Sequence, residues 1–369
     1  MKTLLITTLL AGACAAATAQ TSLSLGGTLD LSLRQVHNGR LGSLRSEASG
    51  ANSTSKLVIR GSEDLGGGLK AGFYLDGSML ADVGSAGTSA PAGQFWDRRS
   101  TVSLSDTRLG ELRLGRDWVP THLVWSGFDP FVTLGIAGAN SFRSLTGSRA
   151  LGQAFGTAPE SQAANPLMRV SNALEYFLPA DLGGVFGSVT LTAGEGGATA
   201  NGFTRGEGFR LGWSGAGWTV AAAQFTTRNA GANRRFQDQV LGLAYNAGWA
   251  RLDLAQRRWI FGPDRTVNTQ LGAIIPVGLH DIKLTYLHAN QSGATAALNA
   301  NDATLLGVGY IYNLSKRTAL YLHVARLSNQ GAAAFAIAGG PAVSTLSSAP
   351  NYFGGQRSTA SELGLRHDF

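Results

Sequence analysis

Charged side chains recur on one face of a series of segments in which polar and apolar residues alternate. Leu, Val, Ile or Phe occupies every second position of these segments, so the charges share the opposite face. The basic members are Arg34, Lys56, Arg60, Lys70, Arg99, Arg113, Arg169, Arg210, Arg251, Arg257 and Lys283, and the acidic members are Asp30, Asp76, Asp97, Glu111, Glu175 and Asp253. A ring of charges around a water-filled space selects ions of the opposite sign. The basic excess therefore predicts a modest preference for anions.

A second interpretation of the same side chains is structural. Each Arg could pair with a neighbouring acid and only support the wall, and a single β-bulge would reverse the faces beyond it. Arg98 and Arg116 fall on the apolar parity close to loop ends, and the sequence assigns them to neither face. The net excess of basic groups is a firmer prediction than the role of any one residue.

Patterns typical of enzymes, metal sites and nucleic-acid binding are missing from the sequence. It contains no Gly-Lys pair for a phosphate-binding loop and no H-E-x-x-H, and its six His have no ligand spacing. Residues 212–216 (GWSGA) depart from the G-x-S-x-G nucleophile motif. The net charge of +7 comes without a run of five like charges. We expect no enzyme activity, no cofactor, no metal and no nucleic-acid partner.

The alternating segments have the length of membrane-spanning strands. Residues 22–34 (SLSLGGTLDLSLR) place Leu at every odd position except Gly27. About ten alternating residues match a tilted transmembrane strand, whereas strands of soluble proteins are more often five or six residues long. No apolar stretch of about 18 residues follows the N-terminus, which excludes a transmembrane helix there. An all-β transmembrane barrel is the fold that this pattern predicts.

The connections between these segments are of two kinds. Short turns such as 246–248 alternate with long loops at 34–54, 77–95, 117–168, 289–301 and 328–357. Outer-membrane barrels have short turns on one rim and long loops on the other. A count of about sixteen antiparallel strands fits the length, and fourteen or eighteen fit nearly as well. A soluble secreted β-protein is the alternative, and the need for detergent would distinguish the two.

The N-terminus resembles a secretory signal. Met1 and Lys2 precede an apolar stretch at 4–10, and Ala17-Thr18-Ala19 forms an A-x-A cleavage site. We therefore predict a signal peptide at 1–19 and one exported domain at 20–369. The single Cys14 lies inside the signal, so the mature chain has no disulfide. A lipoprotein signal with Cys14 as the modified residue is the weaker alternative.

Several motifs, in the same order along the chain, resemble the general porins of Gram-negative bacteria, in their β-proteobacterial branch. They are RGSEDLGGGLKA at 60–71, LGRD at 114–117, DPF at 129–131, NLSKRT at 313–318 and GLRHDF at 364–369. The resemblance implies a homotrimer of sixteen-stranded barrels in the outer membrane, each with its third loop folded into the lumen. It also implies that the assembly machinery of the outer membrane reads the C-terminal Phe369. Gly26 and Val58 depart from the usual family residues, and loop 117–168 is long for the family.

The resemblance places Asp129 in the third loop. If the loop folds inward, we expect Asp129 to face the basic wall and to create a transverse field that orients dipolar solutes. An alternative is that only part of the loop enters the barrel. Aromatic residues such as Trp118 and Trp213 lie near strand ends, which favours interfacial girdles over a stacking track for sugars.

The sequence therefore predicts a water-filled channel in the outer membrane, surrounded by lipid. Small hydrophilic or anionic solutes and ions would pass by passive diffusion. The predicted pore-lining residues are Arg34, Lys56, Arg60, Lys70, Asp76, Arg99, Arg113, Asp129 and Glu175. A substrate-specific channel for one small anion or sugar is the alternative.

Overall fold

The structure is a computed structural model that describes residues 21–87, 94–155, 167–193, 205–229 and 234–369. The predicted signal peptide at 1–19 lies outside the described residues. The strands are β1 (Ser22–Asn38), β2 (Ser43–Ser49), β3 (Lys56–Gly66), β4 (Leu69–Leu80), β5 (Ser85–Ala86), β6 (Arg99–Asp106), β7 (Gly110–Trp118), β8 (Arg169–Phe177), β9 (Val185–Thr192), β10 (Gly206–Gly215), β11 (Trp218–Asn229), β12 (Arg234–Asn246), β13 (Arg251–Phe261), β14 (Asp264–Val277), β15 (His280–Ser292), β16 (Ala303–Asn313), β17 (Thr318–Asn329) and β18 (Arg357–Asp368). Two helices, α1 (Pro120–Gly127) and α2 (Arg149–Phe155), follow β7.

Hydrogen bonds between the first and last strands close the sheet into a barrel. β1 pairs antiparallel with β18 on one side, and with β2 and β3 on the other. β5 is a two-residue pairing within the loop after β4, and β2 and β3 are two halves of one strand interrupted at 50–55. Counted in this way, the wall has sixteen antiparallel strands. The fold predicted from the sequence is confirmed.

The parity of the strands separates a lipid face from a lumen face. On β1, Leu23, Leu25, Leu29 and Leu33 are exposed on the outside, while Asp30 on the opposite parity is buried. An outward aliphatic side chain is stable in a membrane because its neighbours there are lipid chains. The same alternation continues around the barrel, so charged residues on the other parity point into the lumen.

The interior of the barrel is partly filled by a dry core. Side chains of the loop after β7, such as Phe131, Ile136 and Phe142, pack against Leu287 and Leu305 on the inner wall. This core occupies the side of the lumen formed by the later strands, and the other side stays open. Neither helix in the described ranges is long and apolar enough to cross a membrane.

Candidate pore constriction

The loop that follows β7 enters the lumen, as the resemblance implied. Helix α1 begins at Pro120, where the missing N–H of proline costs no helical hydrogen bond. Its buried face includes Val124 and Trp125, which belong to the core against β11 and β12. The described part of the loop, up to residue 155, therefore lies along the inner wall instead of forming an external flap.

Glycines on the inner wall let the loop lie close to the strands. At four inward positions a Cβ atom would come within 2.3–2.7 Å of a loop side chain, which is closer than real Cβ contacts. The four pairs are Gly242 with Phe128, Gly272 with Pro130, Gly307 with Ala137 and Gly309 with Phe131. The absence of side chains at these positions fixes the path of the loop across β12, β14 and β16.

The middle of the loop is fastened to β18 by Glu362. This buried carboxylate accepts a hydrogen bond from the backbone N–H of Ile136 at 3.2 Å and is bonded to His323 Nδ1 at 2.9 Å. Its other oxygen receives the guanidinium of Arg34 at 2.8 Å. Arg34 thus faces the lumen as predicted, but it is half-buried and paired with an acid.

Asp129 does not face the basic wall, which differs from the expectation. Its carboxylate accepts the backbone N–H groups of Phe131 at 2.9 Å, Thr133 at 3.0 Å and Ala139 at 2.9 Å. The side chain is buried within the loop, where burial raises its pKa while these three N–H groups oppose the rise. Because its oxygens are used by the turn that they organise, Asp129 shapes the loop instead of lining the pore.

Two further segments enter the barrel, and the sequence did not predict either. The last long loop, 330–356, buries Phe335, whose ring meets Phe142 edge to face at 5.1 Å between centroids. Residues 50–55, between β2 and β3, turn inward, and Asp30 accepts the backbone N–H of Asn52 at 2.9 Å. Small residues in both segments gave no alternating or helical pattern that could have indicated burial.

An open space remains between the loop and the wall formed by β3 to β8. It is a cavity of about 210 Å³, lined on the wall side by Lys56, Arg98 and Trp118 and on the loop side by His122 and Thr133. The long loop fills the opposite side of the barrel and narrows the lumen beside this space. We refer to this space as the constriction.

Basic side chains outnumber acidic ones beside the constriction. Arg98 is paired with Asp76 at 3.0 Å, and Arg116 donates from Nε to the backbone carbonyl of Asp97 at 2.7 Å. Arg169 is buried, and its Nε and Nη2 have no hydrogen-bond partner among the described residues. The full group is Lys56, Arg98, Arg116 and Arg169 with the acids Asp76 and Asp97. Arg98 and Arg116, which parity left unassigned, therefore lie inside the barrel.

Trp118 also lies inside, although its place near a strand end favoured an interfacial girdle. Its ring is 3.7 Å from the guanidinium carbon of Arg169 and stacks on His122 at 4.6 Å. Burial and the surrounding arginines lower the pKa of His122 well below 6.5, so its imidazole is neutral at pH 7. The aromatic pair holds a cation against the wall without adding a charge of its own.

A second charged group lies below the first, along β6 to β9. Asp117 receives Arg113 at 2.6 Å and Arg99 at 3.2 Å. Glu175 is buried nearby and accepts the hydroxyl of Thr190 at 2.9 Å. These predicted lumen residues lie together, but they are largely neutralised by one another.

The remaining predicted residues lie closer to the short-turn rim. Arg60 and Lys70 are exposed on β3 and β4, and Arg60 Nε donates to Ser24 Oγ at 3.0 Å. Phe369 exchanges two backbone hydrogen bonds with Gly27, at 3.0 and 3.1 Å, where β18 meets β1. The C-terminal residue thus completes the closure of the barrel.

A closed barrel of sixteen strands, with an apolar outside and a charged lumen narrowed by an internal loop, defines a transmembrane channel protein. A family model described as Gram-negative porin matches residues 7–332. The chain is 35% identical over 393 residues to "Outer membrane porin protein 32" of Delftia acidovorans, and the alignment covers 100% of both chains.

Solved structures agree with this result. The chain matches the "Anion-selective porin from Comamonas acidovorans" with a TM-score of 0.74 and 31% identity, covering 95% of this chain and 100% of that one. The trimer form of OmpT of Vibrio cholerae, at 13% identity and a TM-score of 0.61, shares the fold over 95% of this chain and 99% of that one. The chain belongs to the Gram-negative porin family and is an outer-membrane porin.

Proposed function

We propose that this porin lets small hydrophilic solutes diffuse passively and prefers anions weakly. The observation that carries the proposal is the balance of charge at and beside the constriction. Lys56 and Arg98 line it, and with the neighbouring Arg116 and Arg169 they outnumber the nearby acids Asp76 and Asp97. Among the described residues, neither Lys56 nor Arg169 forms an ion pair with a carboxylate. A net positive narrow zone lowers the free energy of an anion there and raises that of a cation. The structural relative described as anion-selective supports this sign.

The charged residues have different proposed parts in transport. Lys56 and Arg98 would meet permeating ions directly, while Arg99, Arg113 and Glu175 would hold the wall below the constriction. Arg60 and Lys70 would act at the wide vestibule, where water screens their charge. Asp129 and Arg34 would act indirectly by fixing the loop. Transport on this proposal is diffusive, with no catalytic step and no cofactor.

A substrate-specific channel is the second candidate. The stacked pair Trp118 and His122 beside two guanidinium groups favours it, because a planar anion could lie against such a surface. Only one such pair lines the constriction in the described part of the chain, and we favour general diffusion. Saturable block of the ion current by one solute would support the specific channel.

Assembly follows the family pattern in this proposal. We infer a homotrimer in the outer membrane, supported by the trimeric form of a protein with the same fold. Phe369, half-exposed at the seam of the barrel, would be the residue read by the assembly machinery. Crosslinking of the purified porin tests the trimer, and a Phe369 deletion tests the signal.

The reversal potential of the porin in a planar bilayer under a KCl gradient tests the anion preference. The wild type should show an anion-selective potential, and Lys56→Gln should reduce it. Lys70→Gln is the matched control, because it removes the same charge from the wide vestibule and should change the potential much less. Cation selectivity of the wild type would refute the preference, and the absence of channels from refolded trimers would refute the diffusion pore itself.

A further inference from the structure

Five arginines point away from the lumen, near the long-loop rim of the barrel. They lie on β11 to β14 and β17, and each shares the outward parity with aliphatic residues of its strand. The members of this outer arginine arc are Arg228, Arg235, Arg258, Arg265 and Arg326. Arg258 is half-exposed and the other four are exposed. None of these five side chains lines the lumen, so none of them has a direct part in ion permeation.

Acidic residues of the same strands all point the other way. Every Asp on β11 to β17 has the inward parity, and these strands contain no Glu. The four are Asp238, Asp253, Asp264 and Asp281. Within the described ranges, no member of the arc forms an ion pair. The outward faces of β11 to β17 therefore carry a net positive arc. The outward acid next to it is exposed Glu207 on β10, which lies diagonally across the ladder from Arg228 and forms no ion pair with it.

The height of the arc places it at a membrane surface. Trp218 lies directly opposite Tyr245 at the short-turn end of β11 and β12, and Arg228 lies directly opposite Arg235 at the other end. Ten positions separate the aromatic pair from the arginine pair along each strand. With a rise of about 3.4 Å per residue and a tilt of about 40°, this separation is about 25 Å, the height of the apolar band of an outer-membrane barrel.

Uncharged polar residues separate the arc from the apolar band of the barrel. Gln224 and Gln239 lie on the outward face between the arginines and the aliphatic residues, and they hydrogen-bond to each other at 3.3 Å. Long-loop rims of outer-membrane barrels face the cell exterior. The arc therefore lies at the headgroup level of the outer leaflet.

Like charges directly opposite each other in a sheet repel, as Arg228 and Arg235 must do. Arg258 and Arg265 form a second close pair, because Arg265 lies diagonally across the ladder from Arg258. Guanidinium groups bind phosphate through two parallel hydrogen bonds, so a phosphate group between two arginines would relieve the repulsion.

We propose that the outer arginine arc binds the phosphate groups of outer-leaflet lipids. The arc is a docking surface for an annular lipid and has no part in the permeation path. The inference goes beyond the proposed diffusion function, because the two are tested independently. Lipid binding by the arc can be confirmed when anion selectivity is refuted, and anion selectivity can be confirmed when lipid binding is refuted.

Native mass spectrometry of the detergent-solubilised porin tests the proposal by counting bound lipids. The probes are dioleoyl phosphatidic acid and dioleoyl phosphatidylcholine, which share acyl chains and differ in headgroup charge. Wild-type porin should bind the phosphatidic acid more tightly. The variant R228Q/R235Q/R258Q should lose about 100-fold in affinity for it, since each basic residue near an anionic headgroup contributes about fivefold.

The matched control R108Q/K316Q/R317Q removes three charges from exposed short turns and should keep wild-type affinity within about twofold. Equal binding of the two lipids by the wild type, or unchanged affinity of the arc variant, would overturn the proposal. Competition by inorganic phosphate alone, without preference for the phospholipid, would show a free-anion site and would also overturn it.

Single-channel conductance reports whether the arc variant is folded, since the arc lies outside the lumen and conductance should not change. If that variant fails to refold, R228K/R235K/R258K keeps the charges and should bind within about tenfold of wild type, and the single variant R228Q should lose about fivefold. The proposal would be refuted if R228Q, which removes a charge, bound phosphatidic acid as tightly as the wild type while the Lys variant, which keeps the charges, lost its affinity.

Discussion

The guanidinium carbon of Arg169 lies 3.7 Å from the centre of the Trp118 ring, while Nε and Nη2 of Arg169 have no hydrogen-bond partner in the described part of the chain. The ring face attracts the cation without neutralising it. Arg98 lies 5.2 Å from the same ring but is paired with Asp76. Two cations thus share one aromatic ring, and only one of them has an acidic partner. This arrangement keeps positive charge at the constriction, whereas Arg99 and Arg113 further along the wall are paired with Asp117.

Replacing Trp118 with Leu should therefore change both size and stability. The smaller side chain enlarges the constriction, so single-channel conductance should rise. Loss of the ring contacts should cost about 1–3 kcal/mol of stability. Conductance in planar bilayers and the temperature of conversion to the unfolded gel band measure the two effects. Trp249→Leu, on the exposed short-turn rim, is the control, and an equal rise in its conductance would contradict the prediction.

Because the loop lies so close to the wall, adding one methyl group at an inner-wall glycine should displace the loop. In Gly242→Ala the new Cβ would lie 2.3 Å from the Phe128 ring, so the loop must move away from β12. Overpacking of this kind costs about 1–3 kcal/mol. We expect higher or noisier single-channel conductance.

The control for this substitution is Gly72→Ala on β4. There the added Cβ would lie 3.3 Å from Ser103 Oγ and would not touch the loop. Conductance traces of this variant should match the wild type. If both alanine variants behave alike, the glycines of the inner wall do not position the loop.

Sequence patterns could predict the barrel because each strand repeats the same alternation. Leu23, Leu25 and Leu29 already define the outside of β1, and membrane-spanning strands of this kind are stable only in a closed barrel. The constriction was harder to predict, because it depends on contacts between distant segments. Arg98 lies just before β6 and Arg116 beside a bulge at Gly115, where parity no longer assigns a face. Asp129 was placed in the correct loop, but its orientation depends on the backbone turn that it caps.

Asp129→Asn tests the structural part that the hydrogen bonds assign to this residue. An amide presents one acceptor oxygen instead of two, so at least one of the N–H groups of Phe131, Thr133 and Ala139 loses its partner. An unsatisfied buried donor costs about 1–3 kcal/mol. The loop should loosen, and proteolysis of the folded porin within 119–155 should become faster. Unchanged cleavage with a large shift in reversal potential would instead support a direct role in the permeation path.

Phe335 packs the last loop against the third loop, away from the charged wall. Its truncation should therefore change the size of the lumen without changing the charges that line it. Phe335→Ala removes the edge-to-face contact with Phe142 and leaves a cavity that costs about 3–5 kcal/mol. Conductance should rise while the reversal potential stays near the wild-type value, because no charge changes. Exposed Phe95→Ala serves as the control for loss of a phenyl ring. A reversal potential that moves toward cation selectivity would contradict the separation of size from charge.

His122 gives a prediction about pH. Burial and the nearby arginines lower its pKa well below 6.5, so it carries no charge between pH 8 and pH 6. The reversal potentials of wild type and His122→Gln should therefore agree over this range.

The stability of the two proteins should depend on pH in different ways. An unfolded chain binds a proton at His122 once the pH falls below about 6.5, and the folded chain does not. Wild-type stability should fall with decreasing pH below that value more steeply than that of His122→Gln. The prediction would be wrong if the anion preference grew from pH 8 to pH 6 in the wild type and stayed constant in His122→Gln. That result would show that the imidazole at the constriction is charged.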